Sequence, residues 1–177
     1  MGRITDIGPA GLVPAAWLVT IGAHRTLVSA RMLFVALVVM DVLLLAFFLA
    51  SLGEMSGVLR IWQYIIVSGL VANLIGTADM ALTPASNPYL PVTLYAWMLL
   101  PALAYVPTGR AHESDALRRI YLAAAALSGL GVALYGLGHL GGVATAGTTV
   151  GGLALVGLGQ TAGIVTAARE NTGGRVG

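Results

Sequence analysis

The sequence predicts an all-α protein, a polytopic transmembrane helix bundle of about six spans that forms one integral membrane domain over residues 1–177. Three observations lead there. Hydrophobic residues make up 58% of the chain and charged residues 9%, with a mean hydropathy of +0.89, whereas a soluble domain carries roughly a quarter charged residues. The apolar residues arrive in long blocks, and about 20 of them in a helix match the hydrocarbon thickness of a bilayer. Those blocks are continuous and rich in Ala, Leu and Gly. An outer-membrane barrel would instead need segments of about ten residues alternating apolar and polar.

The first block, 8–24, is uncharged and short, so it reads as a short span, a re-entrant segment or an uncleaved signal-like segment. A cleaved signal peptide fits poorly, because Asp6 accompanies Arg3 and no small-residue cleavage site precedes a soluble domain. The spans 31–53, 60–83, 90–107, 119–140 and 145–168 follow. Turn or charge signals separate them: GEMSG at 53–57, PASNPYLP at 84–91, TGRAHESDALRR at 108–119 and GGVATAG at 141–147. Pro101, inside the fourth span, should kink it.

Arginine placement sets the orientation, since cytoplasmic loops carry the basic residues. With six spans and both termini cytoplasmic, Arg3, Arg60, Arg110, Arg118, Arg119, Arg169 and Arg175 share one side, and only Arg25 and Arg31 lie opposite. Five spans strand more arginines on the outer face in one orientation, and in the other they send the N-terminus and Arg3 there. The expected location is a cell membrane, with the lipid bilayer as partner. The net charge of +2 is then a matter of loop arginines, and nucleic acid is not expected.

An offset of 88 residues aligns His24 with His112, Arg31 with Arg119 and Gly53 with Gly141, as two inverted three-helix halves would. Such coincidences come easily in a chain this rich in Ala, Gly and Leu.

Several chemistries are excluded. The chain has no Cys, so thiolate metal sites, disulfides and cysteine nucleophiles are absent. All nine basic residues are Arg, so no lysine can form a Schiff base with retinal. No P-loop, G-x-S-x-G or H-E-x-x-H occurs.

The residue that most needs a reason is Asp41, alone among thirteen apolar residues in VALVVMDVLLLAFF. It lies about 15 Å into its span at 1.5 Å per residue, where a charged Asp costs on the order of 2.5–3.5 kcal/mol. Asn73, at nearly the same depth in the next, antiparallel span, is the expected partner. It shares a helical face with Gly69, Gly76, Thr77 and Met80, and small residues on that face let helices approach closely. The pair serves either as neutral interhelical glue or as an intramembrane polar site.

A second candidate group, His24, Asp79, His139 and Arg31, falls at the outer face in the six-span topology. Two His and one Asp have the chemistry for a metal, but scattered over three helices they have no diagnostic spacing, and no metal is assigned. His139 sits in LYGLGHLGG beside a glycine-bare helix surface, and His24 lies at similar depth. Haem b with these two axial ligands is therefore an alternative reading. The plainer reading of the glycines is helix packing. The Gly147/Gly151 and Gly159/Gly163 pairs have the four-residue spacing of tight crossings. Helices 119–140 and 145–168 are thus also candidate surfaces for a homo-oligomer or a membrane-complex partner.

The leading functional expectation is binding or translocation of a small solute or proton past the midplane carboxylate, because intramembrane ionisable residues mark such paths. The alternatives are the haem protein, a membrane-embedded enzyme with Asp41 as general acid, and a structural accessory subunit.

Overall fold

A computed structural model describes residues 2–52, 59–140 and 146–173, with side chains described for 10–52, 60–140 and 147–170. Six α-helices account for nearly all of them: α1 (Gly2–His24), α2 (Ala30–Ser51), α3 (Leu59–Leu82), α4 (Leu90–Ala111), α5 (Asp115–Leu140) and α6 (Ala146–Gly173). Five are long and apolar enough to cross a membrane, and the apolar described part of α1, Ala10–His24, is shorter. At 1.5 Å per residue the whole of α1 is nonetheless about 34 Å long. The breaks at 53–58 and 141–145 and the tail from 174 lie outside the described residues, and with them Gly141, Gly142 and Arg175.

Helices α4 and α5 outrun their expected bounds. Beyond Pro107, the Thr108 hydroxyl donates to the Ala104 carbonyl at 2.8 Å, and α4 continues to Ala111. Before Arg119, Ser114 accepts at the α5 N-terminus from the Leu117 amide at 3.5 Å, so the helix already starts at Asp115. The α1–α2 turn is a Schellman motif. Leu27 N–H donates to Gly22 O at 2.8 Å and Thr26 N–H to Ala23 O at 3.1 Å, with Thr26 in the left-handed region at φ 57°.

Packing order differs from chain order. Neighbours in space run α2–α3–α4–α5–α6–α1, and α1 and α2 touch little beyond their connecting turn. The α2–α3 pairing matches α5–α6, and α3–α4 matches α6–α1, as an inverted repeat requires, but α1–α2 lacks the close packing of α4–α5. Helix α2 therefore stands at the rim, packed chiefly on α3, with Val35, Val39, Val42, Leu45 and Leu49 exposed as an apolar surface consistent with a lipid surrounding.

The tightest crossing is α5 on α6. A Cβ at Gly131 would lie 2.6 Å from the Gly152 carbonyl oxygen, and one at Gly152 would lie 2.7 Å from the Tyr135 nitrogen. Only glycine on both helices permits that approach. Gly138, Gly157, Gly159 and Gly163 likewise face Thr148, Trp17, Ser128 and Tyr105. These glycines of 119–140 and 145–168 are spent inside the chain, while Gly129 opens on empty space. The core gathers Met98, Tyr135, Leu153 and Val156 under Trp17, with a second cluster of Tyr105, Tyr121 and Ala124 towards the other end.

Candidate functional site

The depth argument sets Asn73 opposite Asp41, and the structure brings the two together. Asp41 Oδ1 accepts from Asn73 Nδ2 at 2.8 Å, and its Oδ2 accepts from Thr77 Oγ1 at 2.7 Å. The second Asn73 Nδ2 hydrogen serves the Leu37 carbonyl at 2.9 Å, and Asn73 Oδ1 accepts from the Trp97 indole at 3.3 Å. Asn73 is fully buried, whereas Asp41 on the rim helix is half-buried. Gly69 positions the indole: a Cβ there would sit 2.7 Å from the Trp97 ring. Asp41 makes no ion pair among the described residues.

From Trp97 the polar contacts continue across the bundle. Pro101 has no N–H, so the Trp97 carbonyl four residues earlier loses its helical donor. Gln160, on α6, fills the place: its Nε2 donates to Trp97 O at 2.8 Å and lies 3.3 Å from Met98 O. Its Oε1 accepts from the Trp17 indole at 3.2 Å. One band of hydrogen bonds at mid-height thus joins α2, α3, α4, α6 and α1. Trp97, Gln160 and Trp17 are the members that span-by-span reading misses. A Pro inside an apolar block with a lone Gln on a later helix was the available signal.

The outer group separates into different tasks. Asp79, 4% exposed, does not join the histidines. Its Oδ2 accepts from the backbone N–H of Tyr89 at 2.7 Å and of Leu90 at 2.8 Å, and its Oδ1 accepts from Thr83 at 2.5 Å. The carboxylate therefore caps the N-terminus of α4, where the helix dipole favours negative charge. Arg31 lines an open apolar hollow of about 330 Å³ with Met32, Val35 and Ala36, on the side of α2 turned away from Asp41 by helical periodicity.

His24 and His139 do meet, through Tyr135. His24 Nε2 lies 3.0 Å from the Tyr135 hydroxyl, and the His139 ring stacks on Tyr135 with centroids 5.7 Å apart. Tyr95 closes the cluster at 5.5 Å from Tyr135. The pair does not fit a haem. Both His24 ring nitrogens are engaged, Nδ1 with the Thr20 carbonyl at 2.9 Å, and Tyr135 fills the space a macrocycle would need. Among the described residues no group of three or more His, Cys, Asp or Glu is placed to hold a metal ion.

At the opposite end, His112 stacks on Tyr121 at 5.1 Å and lies 3.6 Å from Glu170, which also accepts from the Tyr121 hydroxyl at 2.6 Å. This cluster ties the α4–α5 turn to the end of α6. Arg118 pairs with Asp115 on the exposed first turn of α5, where such pairs contribute little.

Fold and site together fit the class of multi-pass helical membrane proteins, here with a hydrogen-bonded carboxylate at mid-height on the rim helix α2. Comparison with protein-family models, curated proteins and solved structures finds no match, so the side chains themselves carry the functional reading.

Proposed function

We propose that the chain binds or translocates a small solute or proton through its helix bundle, with Asp41 as the binding group and Asn73 and Thr77 as its positioning partners. The observation that carries this reading is a carboxylate at mid-height that is half-buried rather than sealed and has donors on both oxygens but no cationic partner among the described residues. A carboxylate serving packing alone is best placed at the centre of the bundle. Asp41 instead sits on α2, the helix with the least protein around it.

Residues at the two ends support the orientation. Arg60, Arg110, Arg118, Arg119 and Arg169 lie at the end of the bundle where α3 begins, α4 ends, α5 begins and α6 ends, and Arg25 and Arg31 lie at the other. By the positive-inside rule the first end is cytoplasmic in a cell membrane, and a six-span chain has both termini there.

Protein reconstituted in vesicles loaded with a pH-sensitive dye tests the reading, with protons and then sodium as probes. The expected result is a protein-dependent flux that falls to the protein-free level in Asp41→Asn. Flux unchanged by that substitution would remove Asp41 from the pathway.

A further inference from the structure

We infer that the ligand of Asp41 is the proton, and that the Thr77 hydroxyl is a rotor that keeps the site fully hydrogen-bonded in both protonation states. This rests on the reading of Asp41 as the binding group and names what it binds.

The two carboxylate oxygens have different neighbours. Oδ1 faces Asn73 Nδ2, which can only donate. The amide cannot turn over, because its Oδ1 accepts from the Trp97 indole and its remaining hydrogen goes to Leu37 O. A flipped amide would set oxygen against two acceptors. Oδ2 faces Thr77 Oγ1, which both donates and accepts. That hydroxyl has two acceptors within reach, Asp41 Oδ2 at 2.7 Å and the Asn73 carbonyl at 3.1 Å, and one hydrogen to give.

With Asp41 ionised, Thr77 donates to Oδ2. When a proton from water arrives on Oδ2, the new O–H donates to Thr77 Oγ1, and Thr77 turns its own hydrogen to the Asn73 carbonyl. In each state every donor hydrogen has an acceptor, the added proton bringing one more hydrogen bond with it, and no heavy atom moves. In hydrocarbon, where an unmet polar group is costly, such a site can exchange a proton without rebuilding the bundle. A metal cation fits less well, because a fixed Asn73 N–H points at one of the two carboxylate oxygens it would need.

Among the described residues no other charged group pairs with Asp41. From α3, Asn73 and Thr77 are the side chains that hydrogen-bond Asp41 among the described residues, with Trp97 of α4 behind Asn73. Asp79 is engaged with Thr83 and the start of α4. Tyr95 lies with Tyr135 and His139. On α2 itself Arg31 is ten residues, about 15 Å, away along the helix, and on α3 Arg60 is about 20 Å below Asn73 at 1.5 Å per residue.

Infrared difference spectra of the full chain in lipid nanodiscs, taken between high and low pH, provide the test. The expected signal is a protonated-carboxyl stretch that titrates and disappears in Asp41→Asn. Should that variant fail to fold, Asp41→Glu identifies the band by shifting it. Thr77→Val removes a charge-assisted bond from the ionised form, and from the protonated form a neutral bond and the weak back-bond of Thr77 to its own helix, so the midpoint rises by up to about one pH unit, roughly tenfold in proton affinity. Thr77→Ser restores the native midpoint.

A carboxyl that holds one protonation state at every pH where the chain stays folded overturns the inference. So do Thr77→Val and Thr77→Ser proteins that both titrate like the native one. Titration of Asp41 with flux indifferent to Asp41→Asn removes the carrier function and leaves proton binding standing. Flux that needs Asp41 without any titrating band does the reverse.

Discussion

Gln160 Nε2 lies 2.8 Å from the carbonyl oxygen of Trp97, the very acceptor that Pro101 leaves without a partner in α4. A break in one helix is mended by an amide from another, and the same amide holds the Trp17 indole of α1. The kink and the α1 docking site are therefore one feature.

It follows that Gln160→Leu should destabilise the protein by about 1–3 kcal/mol, the cost of leaving buried polar groups unmet. Pro101→Ala restores a backbone N–H for Trp97 O, so Gln160→Leu should cost measurably less in a Pro101→Ala background. Unfolding in detergent of the two single variants and the double variant, as a thermodynamic cycle, checks the coupling.

The α5–α6 crossing depends on bare backbone at Gly131 and Gly152. Gly131→Leu should cost well over 1–3 kcal/mol, the usual range for overpacking, since the added atoms meet backbone rather than a movable side chain. Gly129→Leu, two residues away with nothing within 4 Å, should melt like the native protein. Thermal melts of both variants, with gel filtration to follow their dispersity, measure the contrast.

Asp79 acts on α4 rather than on the histidines. Asp79→Ala should cost about 1–2 kcal/mol, as the loss of an N-cap does, and should speed amide exchange at Tyr89 and Leu90 without altering the aromatic cluster around Tyr135. Hydrogen exchange resolved to that segment reads both effects.

His24 and His139 are committed to Tyr135, so protein purified from haem-supplemented cells should show no Soret absorbance, and His139→Ala should leave the spectrum unchanged. An absorption spectrum of the purified protein decides this. A Soret band lost in His139→Ala would restore the haem reading.

Much of the architecture was legible in the sequence because hydrocarbon imposes a simple rule: a block long enough to span must satisfy its own backbone, and so is helical. Depth counting along antiparallel blocks also sets Asn73 beside Asp41. It could not separate Asp79 from the histidines. Counting residues gives height in the bundle but not azimuth, and Asp79 turns towards the start of the next helix instead of towards α5. Nor could composition reveal which glycines face inward. That depends on helix order in space, which here runs α2–α3–α4–α5–α6–α1 and not as the chain does. The band through Trp97, Gln160 and Trp17 was hidden for the same reason, its members being up to 143 residues apart.

The 32 residues between Asp41 and Asn73 also fix a sequence of events at birth. A ribosome adds roughly 5–20 residues per second, so the carboxylate emerges some seconds before the amide that will hold it. In that interval α2 is the most apolar segment made so far and has no companion for its one acid. It must wait beside the translocon with that acid neutral or wetted until α3 arrives. Insertion of α2 and α3 as a hairpin is the natural outcome, and slowing translation between them should lower the yield of correctly inserted protein.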